Sequence, residues 1–294
     1  MDRKIYIVFI VFLTTISGWG QKLFPYRLEK GFEVSGFDAP ESVLKDPENN
    51  VLYISNINGE PAEKDGNGYI SKLGIDGSII ERKWIDGLNA PKGMGIYKGK
   101  LYVADIDVVV EIDIQTRVRK IHKTPDATFL NDITVDREGN VYISNTFGFS
   151  GIYRLSPNGT VTLWMKDKDL QMPNGLLMDG KSLLVANWGV DLDPKTYETK
   201  TKGNILKVDT VTKRIMDFIG PLGNLDGIVE TGEGYFVTDW LSGKLWYTNL
   251  SGQRISIALQ LPKGIADVGY DQITETLYVP LMLDGKLVSY KLLK

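Results

Sequence analysis

The sequence contains no cysteine and only one histidine, His122. The first absence excludes disulfides, thiol nucleophiles and cysteine-ligated zinc. The second excludes a metal centre built from several histidines, and any Ser-His-Asp triad would have to use His122. Neither sign of charge dominates, since 34 Lys and Arg stand against 37 Asp and Glu for a net charge of −3. No basic block occurs, which argues against a nucleic-acid partner. Phosphate-binding loops, EF-hand loops and the Gly-x-Ser-x-Gly elbow are missing too. What remains, at 43% hydrophobic and 24% charged residues, is the composition of a soluble globular protein.

The N-terminus is expected to be an address rather than part of the fold. Arg3 and Lys4 precede an apolar run over residues 5–16, and Ser17-Gly18-Trp19-Gly20 follows. A positive start, a short apolar core and small residues before the cut make a secretory signal. The cut falls between Gly20 and Gln21. A spanning helix needs about 20 apolar residues, so the run is too short for one, and no membrane span is expected in the mature chain. The predicted organisation is a signal peptide over 1–20 and one domain over 21–294, secreted or periplasmic.

That domain repeats itself. Leu52-Tyr53-Ile54-Ser55-Asn56 recurs as Leu101-Tyr102-Val103-Ala104-Asp105, Val141-Tyr142-Ile143-Ser144-Asn145 and Leu183-Leu184-Val185-Ala186-Asn187. It continues as Tyr235-Phe236-Val237-Thr238-Asp239 and Leu277-Tyr278-Val279-Pro280-Leu281. The copies lie 40 to 52 residues apart, a period typical of propeller blades. Each has an apolar run before it and two strand-like runs after it, joined by turns such as Asp179-Gly180 and Pro157-Asn158-Gly159. Asn-Gly and Asp-Gly between alternating runs are hairpin signals. The predicted fold is therefore all-β, a six-bladed β-propeller with four-stranded blades. The sixth copy, from Ile265 onward, has room for three strands. Residues 31–36 are expected to supply the fourth, closing the ring and covering its open edge.

The innermost strand of a blade starts beside the central channel. The starts read Pro40-Glu41-Ser42, Leu130-Asn131-Asp132, Pro173-Asn174-Gly175, Leu225-Asp226-Gly227 and Ala266-Asp267-Val268, whereas blade two has Pro91-Lys92-Gly93. Carboxylates and amide oxygens converging from several blades suit one hard divalent cation such as calcium. Strand-end turns also favour Asp and Asn for structural reasons alone.

Pro40-Glu41, Asn131-Asp132, Pro173-Asn174-Gly175 and Asp226-Gly227, in that order and spacing, resemble four signatures of the SMP-30/gluconolactonase family. The resemblance spans residues 37–294. It implies a six-bladed propeller holding one metal through Glu41, Asn174 and Asp226, with Asn131 facing metal or substrate. It also implies hydrolysis of a lactone or ester, as in the related calcium-dependent lactonases, paraoxonases and phosphotriesterases. Asp226 would be general base or nucleophile. Sugar-lactone hydrolases of the family usually carry an arginine two residues before the Asn-Asp asparagine, and Phe129 stands there. A cationic fork replaced by an apolar ring points away from aldonolactones. Asp267 begins a blade but matches no family ligand.

Two long segments follow second strands, residues 57–68 and 188–203. They are expected to rim the pocket, with Trp188 and Tyr197 as apolar substrate contacts. His122 is expected on an outer strand, exposed and structural. The competing functional reading is a recognition propeller without chemistry, because the repeated strand also resembles YWTD and NHL-type binding propellers.

Overall fold

The computed structural model describes residues 24–294. The expected signal peptide and its cut lie outside the described residues. Six antiparallel sheets make the ring. In five of them the strands are consecutive along the chain with the first innermost, and the sixth combines the last three strands of the chain with an outer N-terminal one. Blade one runs Pro40–Asp46, Val51–Asn56, Gly68–Gly74, Ile79–Leu88; blades two, three and five repeat that order from Pro91, Leu130 and Leu225. Blade four carries a fifth strand. Two single turns of 3-10 helix, Lys168–Leu170 and Met282–Asp284, are the helical segments among the described residues. No helix there is long and apolar enough to cross a membrane.

Blade six closes the ring as expected. Its own strands are Gly269–Asp271, Thr276–Leu281 and Lys286–Leu293, and Arg27–Ser35 adds the fourth. Arg27 pairs with Leu293 and Ser35 with Lys286 in antiparallel register. The closing strand is longer than residues 31–36. It starts four residues earlier because Leu28 and the preceding Phe24 and Tyr26 also have an apolar seat, packing against Phe236 and Tyr247 of blade five. At the channel, Asp267 N donates to Glu41 O at 2.9 Å, joining blade six to blade one a second time.

The recurring strand is the second strand of every blade, and it is buried along its length in blades one, three and five. Its alternate residues face the two neighbouring blades. Tyr53 packs with Trp84, Leu101 and Val103 in one cluster, while Leu52 and Ile54 join Tyr278 in another. The apolar repeat is thus the blade-to-blade core.

His122 lies on the outer strand Arg119–Lys123, but it is buried rather than exposed. Its Nε2 is 2.7 Å from Glu111 Oε2 on the neighbouring strand, and Gly159 of the blade-three turn approaches its ring. A polar partner and a neighbouring hairpin cover it.

Candidate functional site

Five inner strands begin with the same irregularity. Between Pro40 and Val43, Pro91 and Met94, Leu130 and Ile133, Pro173 and Leu176, and Leu225 and Ile228, the register against the second strand shifts. A bulge frees a residue from the ladder and re-aims its side chain. The freed positions are Glu41, Lys92, Asn131, Asn174 and Asp226, and all five line one cavity.

The repeated strand builds these bulges. Its hydroxyl residues catch the amide one residue beyond the site residue. Ser42 N donates to Ser55 Oγ at 2.9 Å, Asp132 N to Ser144 Oγ at 2.9 Å and Gly227 N to Thr238 Oγ1 at 2.7 Å. Its final Asn or Asp grips the segment leading into the inner strand. Asp105 accepts from Asn89 N and Ala90 N, Asn145 Oδ1 from Thr128 N and Phe129 N, and Asp239 Oδ1 from Asn224 N. These buried acids and amides are scaffold.

Those five side chains make a first tier. The next residue of each inner strand, Ser42, Gly93, Asp132, Gly175 and Gly227, makes a second together with Asp267. Glycine is required where blades touch. A Cβ on Gly93 would stand 2.5 Å from Asp132 Cα, and one on Gly227 2.6 Å from Val268 N. The acids of this tier have protein partners. Asp132 accepts from Leu176 N and Ile133 N, each at 2.6 Å, and Asp267 Oδ2 from Ser42 Oγ at 2.5 Å.

The first tier is satisfied differently. Asn174 Nδ2 donates to Asp226 Oδ1 at 2.9 Å and Leu225 O at 3.2 Å. Asn174 Oδ1 and Glu41 Oε2 are buried with no hydrogen-bond partner. Burial pushes the Asp226 carboxyl up to about 8, with repulsion from Asp267 adding to it and the Asn174 amide opposing it. Burial, then repulsion from Asp226 and Asp267, raises Glu41 well above the usual range, against the pull of Lys92. Asp267 is raised to about 7 by burial, against its bond from Ser42. Burial lowers Lys92 to about 8, while Glu41 and Asp105 favour its charge.

Among the described residues no three His, Cys, Asp or Glu side chains form a metal-binding group. The first tier offers two carboxylates and leaves amide oxygens to complete any cation shell. The donor chemistry nevertheless fits a hard cation, because two buried oxygens here lack any donor, a costly state for polar atoms.

The cavity above this floor measures about 1150 Å³. Its walls include Phe129, Phe147, Trp188, Tyr197 and Trp240. Phe129 meets Phe147 edge-on at 4.9 Å, and Phe147 lies 6.2 Å from Trp188. Both long segments rim the opening, as expected. Residues 188–203 are more ordered than a loop, since Gly189–Leu192 pairs with the start of Thr199–Asp209 and Trp188 Nε1 donates to Tyr197 O. The structure therefore brings together Glu41, Asn131, Asn174, Asp226, Phe129 and Trp188. Sequence reasoning assigned no role to Lys92, Phe147 or Trp240. The shared blade register could have flagged Lys92; no sequence signal marked the two aromatics.

No protein-family profile and no curated protein sequence matches the chain. Solved structures do. A gluconolactonase from Xanthomonas campestris superposes with TM-score 0.66 at 16% identity, covering 92% of this chain and 91% of that one. A chain of a nidogen/laminin complex superposes with TM-score 0.57 at 16% identity, covering 76% and 86%. These likenesses establish the class by shape, a six-bladed propeller of the kind seen in gluconolactonase.

Proposed function

We propose that the protein is a metal-dependent hydrolase of lactones or esters, secreted or periplasmic, working at the floor of the central cavity. The observation that carries this reading is the pair of unpartnered buried oxygens, Glu41 Oε2 and Asn174 Oδ1, beside Asp226. A recognition surface has no need of orphaned oxygens at the bottom of a channel. The gluconolactonase neighbour supports the same reaction class, and the nidogen/laminin neighbour keeps recognition as the rival.

Glu41, Asn174 and Asp226 would hold a calcium-like divalent cation, with Asn131 facing metal or substrate. Such an ion supplies Lewis-acid polarisation of a carbonyl oxygen when bound. The remaining chemistry belongs to the chain. Asp226 Oδ1 is fixed by Asn174 Nδ2, which leaves Oδ2 to take a proton from water attacking the carbonyl. The aromatic wall excludes water and accepts the apolar part of the substrate, with Phe129 and Trp188 as contacts.

The test is metal analysis of residues 21–294, followed by a panel of lactones and aryl esters. Bound calcium, and hydrolysis lost in Asp226→Asn, are expected. No metal affinity and no turnover would leave the recognition propeller.

A further inference from the structure

Lys92 is the first-tier side chain that the proposed hydrolysis does not use. It is 2% exposed. Its Nζ donates to Pro61 O at 2.8 Å and Ala90 O at 3.0 Å, and stands 4.4 Å from the centre of the Phe129 ring. An ammonium group has three donors. Two serve carbonyls, so one is left for an occupant of the cavity that Lys92 lines.

Glu41 and Asp105 favour the charge from beyond contact distance, without pairing with it. No carboxylate among the described residues forms an ion pair with Lys92. Asp105 is nearby, but Asn89 N and Ala90 N hold its carboxylate. Glu41 faces the same cavity and, on the hydrolase reading, belongs to the cation. Two carbonyls and an aromatic face solvate an ammonium without neutralising it. A buried charge without a paired counter-charge is costly, and an anion entering the cavity lowers that cost.

We propose that Lys92 is an anion-recognition residue. Its free donor takes a carboxylate on the ligand, and the ligand's apolar part lies against Phe129 and the aromatic wall. The site's substrates are then aryl or acyl lactones and esters that carry a carboxylate. The word substrate rests on the hydrolase reading; the binding does not.

The experiment compares 4-phenylbutyrate with its neutral amide on residues 21–294, by calorimetry and by quenching of Trp188 and Trp240 fluorescence. Both are measured with calcium and with chelator. A charge-assisted hydrogen bond should favour the carboxylate about tenfold or more in both conditions. Lys92→Met should abolish that preference and keep amide binding, while Lys92→Arg retains it. If Lys92→Met does not fold, the wild-type ratio alone decides. Equal affinity for the two probes, binding of neither, a preference surviving in a folded Lys92→Met, or one that appears only with calcium would overturn the proposal. Lys92 would then be a tether for the segment containing Pro61. Carboxylate preference without hydrolysis of any lactone would sink the hydrolase reading and leave Lys92 as proposed.

Discussion

Asn174 Nδ2 donates to Asp226 Oδ1 at 2.9 Å across the junction of blades four and five. That bond orients both groups, turning the Asn174 carbonyl oxygen away from its partner and leaving it unpaired. A cation that collects donors from several blades can bind only when the ring is closed, so binding must stabilise the fold.

At a free calcium concentration a hundredfold above Kd, the stabilisation is about 2.7 kcal/mol. For a domain of this size that corresponds to a rise in Tm of several degrees, reversed by chelator. Asp226→Asn removes one of two counter-charges and should lose most of the rise. Asn174→Ala removes a donor and the orienting bond, with an expected loss of roughly 10–100-fold in affinity. Calorimetric melting with and without chelator checks both.

The metal-free protein should also lose stability as pH rises. The Asp226 carboxyl is raised from 3.8 to about 8, and that of Asp267 from 3.8 to about 7. Between those values the folded chain keeps protons that the unfolded chain has released. Stability rises with pH only where the unfolded state binds more protons. Here the sign is opposite, and stability falls from about pH 4 towards pH 8. A cation held by Asp226 would compete with the proton on that carboxyl, so the Tm gain from calcium should be larger at about pH 8 than at about pH 5. Chelated Asp267→Asn, which has one fewer buried acid, should show a shallower decline in a pH series of melting curves.

The blades were legible because an apolar strand recurs at a steady spacing, and so was closure, because the last copy is a strand short. The site was legible only in part. Asp226 starts an inner strand and Asp239 ends a second one; in the sequence both are acids beside apolar runs. The bulge sends Asp226 into the cavity, whereas Asp239 holds Asn224 N. Lys92 shares the register of Glu41 but breaks its chemistry, and its partners Pro61 and Phe129 are 31 and 37 positions away. For His122 the strand could be read, but not the carboxylate of Glu111 that lets it be buried.

A chain beginning at Gly36 should fail to close. It lacks Arg27–Ser35, exposing the unpaired edge of Lys286–Leu293, and it also lacks Phe24 and Tyr26, which pack on Phe236 and Tyr247. An open edge of that length invites intermolecular pairing. Aggregation, or a Tm many degrees below that of residues 21–294, is expected in light scattering and melting. Equal solubility and equal Tm would show that the strand is dispensable.

Phe129 sets the last prediction. Its ring faces the cavity and supplies no hydrogen bond to a hydroxylated substrate. Sugar hydroxyls buried against this wall would each lose about 1–3 kcal/mol unless a partner is found. Aryl or alkyl lactones should therefore exceed gluconolactone by at least about tenfold in kcat/KM. Phe129→Arg looks from the sequence like the change that would reverse this preference. The structure adds Lys92, whose Nζ stands 4.4 Å from the ring. A guanidinium placed there meets a buried like charge and removes an aromatic face that solvates the ammonium. Phe129→Arg should therefore lower Tm without gaining activity on gluconolactone, and Lys92→Met added to it should restore stability and permit the gain. The two sites touch, so their effects should be strongly non-additive in a double-mutant cycle. A stable Phe129→Arg single variant that hydrolyses gluconolactone well would show that Lys92 does not control this wall.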